Sequence, residues 1–211
     1  MEANSICYSL EISVLFLSRS VKTLNKKELR AQGIQNLKKL ANQSKLKAKK
    51  EQQILALFFA SQQWKNAKTV AVIKAVDFEF DMDKVMHKAF ATGKKVVVPK
   101  SLPERKLAFY EVDEQTRYYV TNFGVEEPVS NLFVTKEEID LVIVPGLIFS
   151  TKGYRIGFGG GFYDRYLATY QGETCSLVFS EQLNDRWTAD AFDMPVHRIY
   201  TDTYKIKEEK E

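Results

Sequence analysis

The chain of 211 residues reads as a single three-layer α/β/α domain built on a mainly parallel β-sheet. Three observations predict this. Helical periodicity fills the stretch from Asn25 to Gln63 without a strand-like run. From Thr69 onward, short runs rich in Val and Ile alternate with helical segments, the order a parallel sheet with crossover helices requires. One of those runs, "IDLVIVPG" at Ile139 to Gly146, is apolar almost throughout, as a strand covered on both faces must be.

Taken in order, the first helix opens at "NKKELRAQGIQNLKKL", where Asn25 caps and Glu28 completes a capping box; Leu29, Ile34, Leu37 and Leu40 share one face. A second helix covers Ser44 to Gln63, with Ile54, Leu55, Phe58 and Phe59 as its apolar stripe, and Trp64 follows as a core residue. "TVAVIKA" (Thr69 to Ala75), "DMDKVMHKAFATG" and "KKVVVPK" form a strand, a helix closed by Gly93, and a second strand, which together make a βαβ unit. "KLAFYEV" and Arg117 to Val120 are strands or a hairpin. "IDLVIVPG" leads directly into a glycine-rich loop, a helix from about Phe162, a strand "TCSLVFS" and a last strand near "HRIYTDT". In such a sheet the ligand crevice lies beyond the carboxyl ends of the strands.

The domain spans 23–205, between an N-terminal extension (1–22) of no assignable role and a charged tail (206–211). In the extension, Glu2 and Glu11 break the pattern of a secretory signal, and Val14 to Leu17 is too short to span a bilayer. The formal charge of +4, from 31 basic and 27 acidic residues spread along the chain, argues for a small anionic ligand and against a dedicated nucleic-acid binder, and no membrane partner is expected. Cys7 and Cys175 match no metal or redox spacing and read as reduced thiols of a cytoplasmic protein.

Six of the ten glycines fall between Gly146 and Gly161, beside Arg155, Tyr163 and Asp164. Glycines after a strand and before a helix let the backbone approach a phosphate, Arg155 adds a planar cation, and Asp164 can hold a magnesium ion. The spacing fits neither the P-loop nor the dinucleotide fingerprint. On these residues alone, a phosphate site and a tight structural turn, with Asp164 as a helix-start acid, both stay open.

Read as one segment, "VPGLIFSTKGYRIGFGGGFYDRYL" resembles the signature V-P-G-x-A-F-D-x-x-G-x-R-L-G-x-G-G-G-Y-Y-D-R of the 5-formyltetrahydrofolate cyclo-ligase family. "KKELR", "QWKNAK", "FEFD", "VVVPK", "GVEEP" and "FDMPVHRIYTD" join it in the family's order, so the resemblance runs over about residues 24–203. It implies a fold akin to the ribose-phosphate isomerase and CoA-transferase group. It also implies the Mg-ATP-dependent conversion of 5-formyltetrahydrofolate to 5,10-methenyltetrahydrofolate, ADP and phosphate: the formyl oxygen is phosphorylated, N10 attacks the activated carbon, and phosphate leaves. Such chemistry asks for positioned cations, backbone donors and a metal rather than a nucleophile.

Carried over by position, the resemblance places ATP on Lys26, Lys27, Glu28, Leu29 and Arg30 and on the loop Arg155, Ile156, Gly157, Phe158, Gly159, Gly160, Gly161, Phe162 and Tyr163. Arg155 and Tyr163 are the catalytic pair, Asp164 and Asp193 the magnesium ligands, and Glu79 the acid that recognises the pterin, with Phe162 beside it. The partner is a reduced folate, polyglutamylated forms included, and the enzyme is a monomer. Ile73, Ser150, Phe192 and His197 depart from the family's usual residues, which bears on pterin and metal binding. A sugar-phosphate isomerase or CoA-transferase relative and a non-catalytic folate or nucleotide sensor are the alternatives, and binding of Mg-ATP with turnover discriminates among them.

Overall fold

The structure, a computed structural model, describes residues 25–122 and 124–203. The extension 1–22, Cys7 and the tail 206–211 lie outside the described residues. Helix α1 (Lys26–Ala41) begins at the capping box: the Asn25 side chain accepts the Glu28 N–H at 2.9 Å, and the Glu28 carboxylate accepts the Asn25 N–H at 3.0 Å. Such a cap stabilises a helix by about 1 kcal/mol. Helix α2 (Ser44–Ala60) is shorter than its periodicity suggests. Ser61 turns extended, donates its hydroxyl to the Phe58 carbonyl at 2.6 Å and caps α3 (Gln62–Asn66) by accepting the Trp64 N–H. This local competition from a serine hydroxyl splits what periodicity reads as one helix.

Strand β1 (Thr69–Ala71) leads through a long loop to α4 (Asp83–Ala91) and β2 (Lys95–Leu102), with β1 and β2 parallel as the βαβ reading requires. The predicted strand to Ala75 stops four residues early at Ala71, because the chain leaves the sheet to build that loop. β3 (Lys106–Val112) runs antiparallel to β2. β4 (Tyr118–Val120) and β5 (Glu126–Pro128) make a separate antiparallel pair, and β6 (Phe133–Val134) edges β3. β7 (Leu141–Ile143), the apolar run, pairs in parallel with β1 and with β10. β8 (Ile148–Phe149) and β9 (Arg155–Ile156) form a hairpin, followed by α5 (Phe162–Leu167), β10 (Glu173–Val178) and β11 (Arg198–Thr201). The glycine-rich turn therefore follows β9, not the buried strand directly.

The main sheet has the order β11-β10-β7-β1-β2-β3-β6, of which the first five strands are parallel. Alternating side chains sort onto its two faces: Val70, Val72, Leu141 and Ile143 pack under α1, α2 and α4, whereas Ala71, Val142 and Val144 face Tyr166 and Leu167 of α5. The three layers are thus unequal, with a single six-residue helix among the elements of the second face. From β1 the chain crosses toward β2, and from β7 it crosses the other way toward β10. The β1/β7 boundary is the topological switch point, where a doubly wound sheet opens a crevice.

Candidate active site

Two loops leave the carboxyl ends of β1 and β7 and face each other across this crevice. The first, between β1 and α4, folds back on itself: the Glu79 N–H donates to the Val76 carbonyl at 2.8 Å, and the Val76 N–H donates to the Glu79 carboxylate at 3.1 Å. Glu79 is only 9% exposed and lines a cavity of about 510 Å³ shared with Lys47, Glu51 and Lys74. Burial pushes its carboxyl above the ordinary glutamate value, against the pull of the Val76 N–H and of Lys47. Glu51, on α2, is buried too, and its carboxylate holds Lys84 at 2.6 Å, Lys47 at 3.1 Å and the Asp81 N–H at 3.2 Å. This pins the loop that carries Glu79 to the helix beneath it.

The second loop is the β8–β9 hairpin with the glycine turn. Helix α1 crosses it so closely that a Cβ on Gly33 would lie 2.8 Å from the Leu147 carbonyl oxygen. The crossing sets the first turns of α1 over the turn. Leu29 is buried with Ile148 and Ile156, Arg30 donates through Nε to the Gly157 carbonyl at 3.1 Å, and Lys27 and Glu28 stay on the exposed side. Gly159 has φ +101°, and the Arg30 guanidinium lies 3.4 Å from where its Cβ would stand. Any side chain here strains the backbone and crowds the cation. Phe162 packs over Gly160, while Phe158 projects into solvent at 57% exposure.

Arg155 is buried, its side chain 4% exposed. One terminal nitrogen donates to the Met194 carbonyl at 2.6 Å, and the other to Asp164 Oδ1 at 3.0 Å. The same oxygen accepts the Met194 N–H at 3.2 Å. The guanidinium thereby ties the hairpin, α5 and the segment before β11 together, and burial lowers its pKa while Asp164 and Asp193 hold it up. Lys26 bridges Asp190 and Asp193 at 2.6 Å each and stands 5.8 Å from the centre of the Trp187 ring. Tyr163, beside Arg155, has its hydroxyl raised above the ordinary phenol value by burial; Arg155 draws it down and Glu79 pushes it further up. The cavity about Glu79 is lined mainly by α2, the β1–α4 loop and Glu126, and the charge of Glu79 reaches Tyr163 beyond it.

The structure thus assembles Lys26, Arg30, Arg155, the glycine turn, Tyr163, Asp164 and Asp193 at one place, with Glu79 on the β1–α4 loop that leaves the neighbouring strand. It modifies the reason for a phosphate site. Helix α5 has six residues, so its dipole is weak, and the cations nearest the turn are Lys26 and Arg30, with Lys26 held by two carboxylates. Among the described residues no group of three or more His, Cys, Asp or Glu gathers as a metal cage. Of the departures, Ile73 packs half-buried against the core, Phe192 is 88% exposed, and Ser150 is buried with its hydroxyl unbonded. His197 lies at the opposite, amino-terminal edge of the sheet, where it accepts the Thr174 N–H at 3.3 Å. Trp64 is core, 4% exposed, against Phe58 and Phe59. A second cavity, about 620 Å³, opens at that amino-terminal edge beside Lys136, Asp140 and Glu173. Sequence reasoning passed over Trp187, Lys47 and Glu51, since a lone Trp and two members of a charged helix carry no motif.

Fold and crevice define a doubly wound α/β domain with a glycine-rich turn ringed by ion-paired cations and a buried acid beside its switch point. The chain belongs to the 5-formyltetrahydrofolate cyclo-ligase family, whose model matches residues 22–202. A probable 5-formyltetrahydrofolate cyclo-ligase of Schizosaccharomyces pombe is 36% identical over 87 residues, which is 39% of this chain and 43% of that protein. The 5-formyltetrahydrofolate cyclo-ligase of Escherichia coli is 28% identical over 64% of this chain and 78% of its own. The solved 5,10-methenyltetrahydrofolate synthetase of Aquifex aeolicus superposes with a TM-score of 0.72 at 28% identity, covering 86% of this chain and 91% of that one. The synthetase of Mycoplasma pneumoniae gives 0.66 at 25% identity over 85% and 99%.

Proposed function

We propose that the crevice carries the ATP-dependent cyclisation of 5-formyltetrahydrofolate to 5,10-methenyltetrahydrofolate, with release of ADP and phosphate. The observation that supports this best is the opposition of two unlike surfaces. The glycine turn with Lys26 and Arg30 suits a polyphosphate, and the buried Glu79 suits a heterocycle with adjacent N–H donors. In this reading Lys26 exchanges its two carboxylates for phosphate oxygens, and Arg30 braces the turn whose N–H groups point at them. Arg155 holds the turn in shape through Met194 and Asp164, and Tyr163 separates the two substrates where the phosphoryl group passes to the formyl oxygen. N10 then closes the ring as phosphate departs, so the protein's contribution is alignment and charge neutralisation.

Asp164 and Asp193 fit a magnesium ion that arrives with the nucleotide. Both are carboxylates near the Arg155 guanidinium, their described bonds fall on one oxygen each, and a hard cation of this kind needs only one or two protein oxygens beside phosphate and water. When bound, it would screen the phosphate charge during transfer. The domain 23–205 acts as a monomer on reduced folates, polyglutamylated forms included, in the cytoplasm. Cys175 is a free buried thiol, and no helix of the described residues is long and apolar enough to cross a membrane.

Following the conjugated methenyl chromophore in a reaction of protein, 5-formyltetrahydrofolate and magnesium, with and without ATP, tests the assignment. Product only with ATP is the expected outcome; ATP binding without product would leave a nucleotide or folate sensor.

A further inference from the structure

We propose that Trp187 is the platform on which the adenine ring of ATP stacks. This rests on the nucleotide reading of the crevice and adds the one contact that reading lacks, since the glycine turn, Lys26 and Arg30 all answer to phosphate. Trp187 is partly exposed and lies against the buried cluster of Leu29, Ile148 and Ile156. Leu29 sits on α1 between Lys26 and Arg30, and Ile156 immediately precedes Gly157, so the indole adjoins both segments that would hold the phosphates.

The ring is held in place. Its Nε1–H donates to the Asn184 carbonyl at 2.7 Å, and the Asn184 N–H donates in turn to the Phe149 carbonyl at 2.9 Å. Asp185 accepts the Thr151 N–H at 2.8 Å, fastening the same segment to the β8–β9 hairpin. With its one polar group already bonded, the indole is left with its π system, which Lys26 Nζ overlies at 5.8 Å and which base stacking uses once Lys26 turns to phosphate. Lys26 stands 5.8 Å from the ring centre and bridges to Asp193 at 2.6 Å. A base on Trp187 thus directs its phosphates past Lys26 toward Asp193 and the turn. A stacking face accepts any base, so the class of ligand is a nucleoside triphosphate, ATP among them.

The chain has two tryptophans; Trp64 is 4% exposed in the core, so its emission is a constant background and the ATP-dependent change in emission reports Trp187. Titration of the whole protein with ATP should quench that emission saturably, inorganic tripolyphosphate should quench it far less, and Trp187→Phe should abolish the quench. Trp187→Leu should raise KM for ATP about tenfold while leaving KM for the folate and the affinity for tripolyphosphate unchanged; Trp187→Phe should hold the ATP value within about threefold. If Trp187→Leu weakens tripolyphosphate as much as ATP, the residue only props α1 and the proposal fails. It fails equally if ATP binds, by calorimetry, without altering Trp187 emission; the nucleotide site itself then stands. Should Trp187→Leu not fold, the wild-type quench and Trp187→Phe decide. Absence of any ATP binding removes the nucleotide reading and the stacking contact together.

Discussion

The two sides of the crevice are built in opposite ways. The side proposed for the nucleotide joins three segments far apart in the chain, around residues 26–30, 155–164 and 184–194, and the charged groups that join them are already paired: Lys26 with Asp190 and Asp193, Arg155 with Asp164. The side proposed for the folate is one local loop whose acid, Glu79, is buried with the Val76 N–H and Lys47 as its only described compensation. A site made of ion pairs is preassembled, and ligand binding there is an exchange of partners. A site made of a buried, weakly compensated carboxylate holds its free energy in reserve until a donor arrives, at a cost in stability meanwhile.

The sharpest way to break the comparison is at Arg155. Arg155→Ala should lower kcat/KM at least about a thousandfold by releasing the turn, Asp164 and Met194 together. It should also destabilise the fold by about 2–3 kcal/mol, discounted from the fully buried case because Asp164 keeps some water. Kinetics and thermal melts check both. Arg155→Lys should rescue little, since an ammonium does not span the Met194 carbonyl and Asp164 in one plane. Loss of activity with an unchanged melting temperature would show that the guanidinium is not the tie described.

Glu79→Gln comes next, with an expected drop of about a hundredfold in kcat/KM for the folate and an unchanged KM for ATP. Stability should move the other way. Because burial raises the folded-state pKa, the folded protein binds more protons than the unfolded chain from the ordinary glutamate range upward, so wild-type stability falls as pH rises through that window. The Gln variant lacks this fall, and melts between about pH 4 and pH 8 should show it gaining on the wild type as pH increases. A variant that loses both folate binding and stability would make Glu79 a structural residue.

The same contrast explains what was legible in the sequence. The apolar run that became β7 and the capping box at Asn25 declare themselves locally, so the sheet class and the start of α1 could be read directly. The glycine turn was visible as composition, but the β8–β9 hairpin before it was not, because Ile148 and Phe149 pair with Arg155 and Ile156 across a tip that carries its own turn chemistry. The nucleotide side depends on long-range encounters, Lys26 with Asp193 across 167 positions, which no window of sequence displays. Those residues came from the family pattern, and the residues outside it, Trp187 and Glu51, were found only when the chain folded over them.

Smaller effects sharpen the contrast further. Lys26→Ala should raise KM for ATP about five- to tenfold and leave the folate value alone. Because the phosphate contact that Lys26 makes is a solvent-accessible charge pair that salt screens, the wild-type KM for ATP should climb with salt more steeply than that of the variant. The smallest change belongs to the cavity at the amino-terminal edge, which is the larger of the two. Lys136 there is already spent on the Tyr166 carbonyl at 3.2 Å and the Thr169 hydroxyl at 2.5 Å. Lys136→Ala should therefore keep turnover within about twofold of wild type. A large loss would mean that volume, rather than the position of a crevice at the switch point, marks where this fold binds.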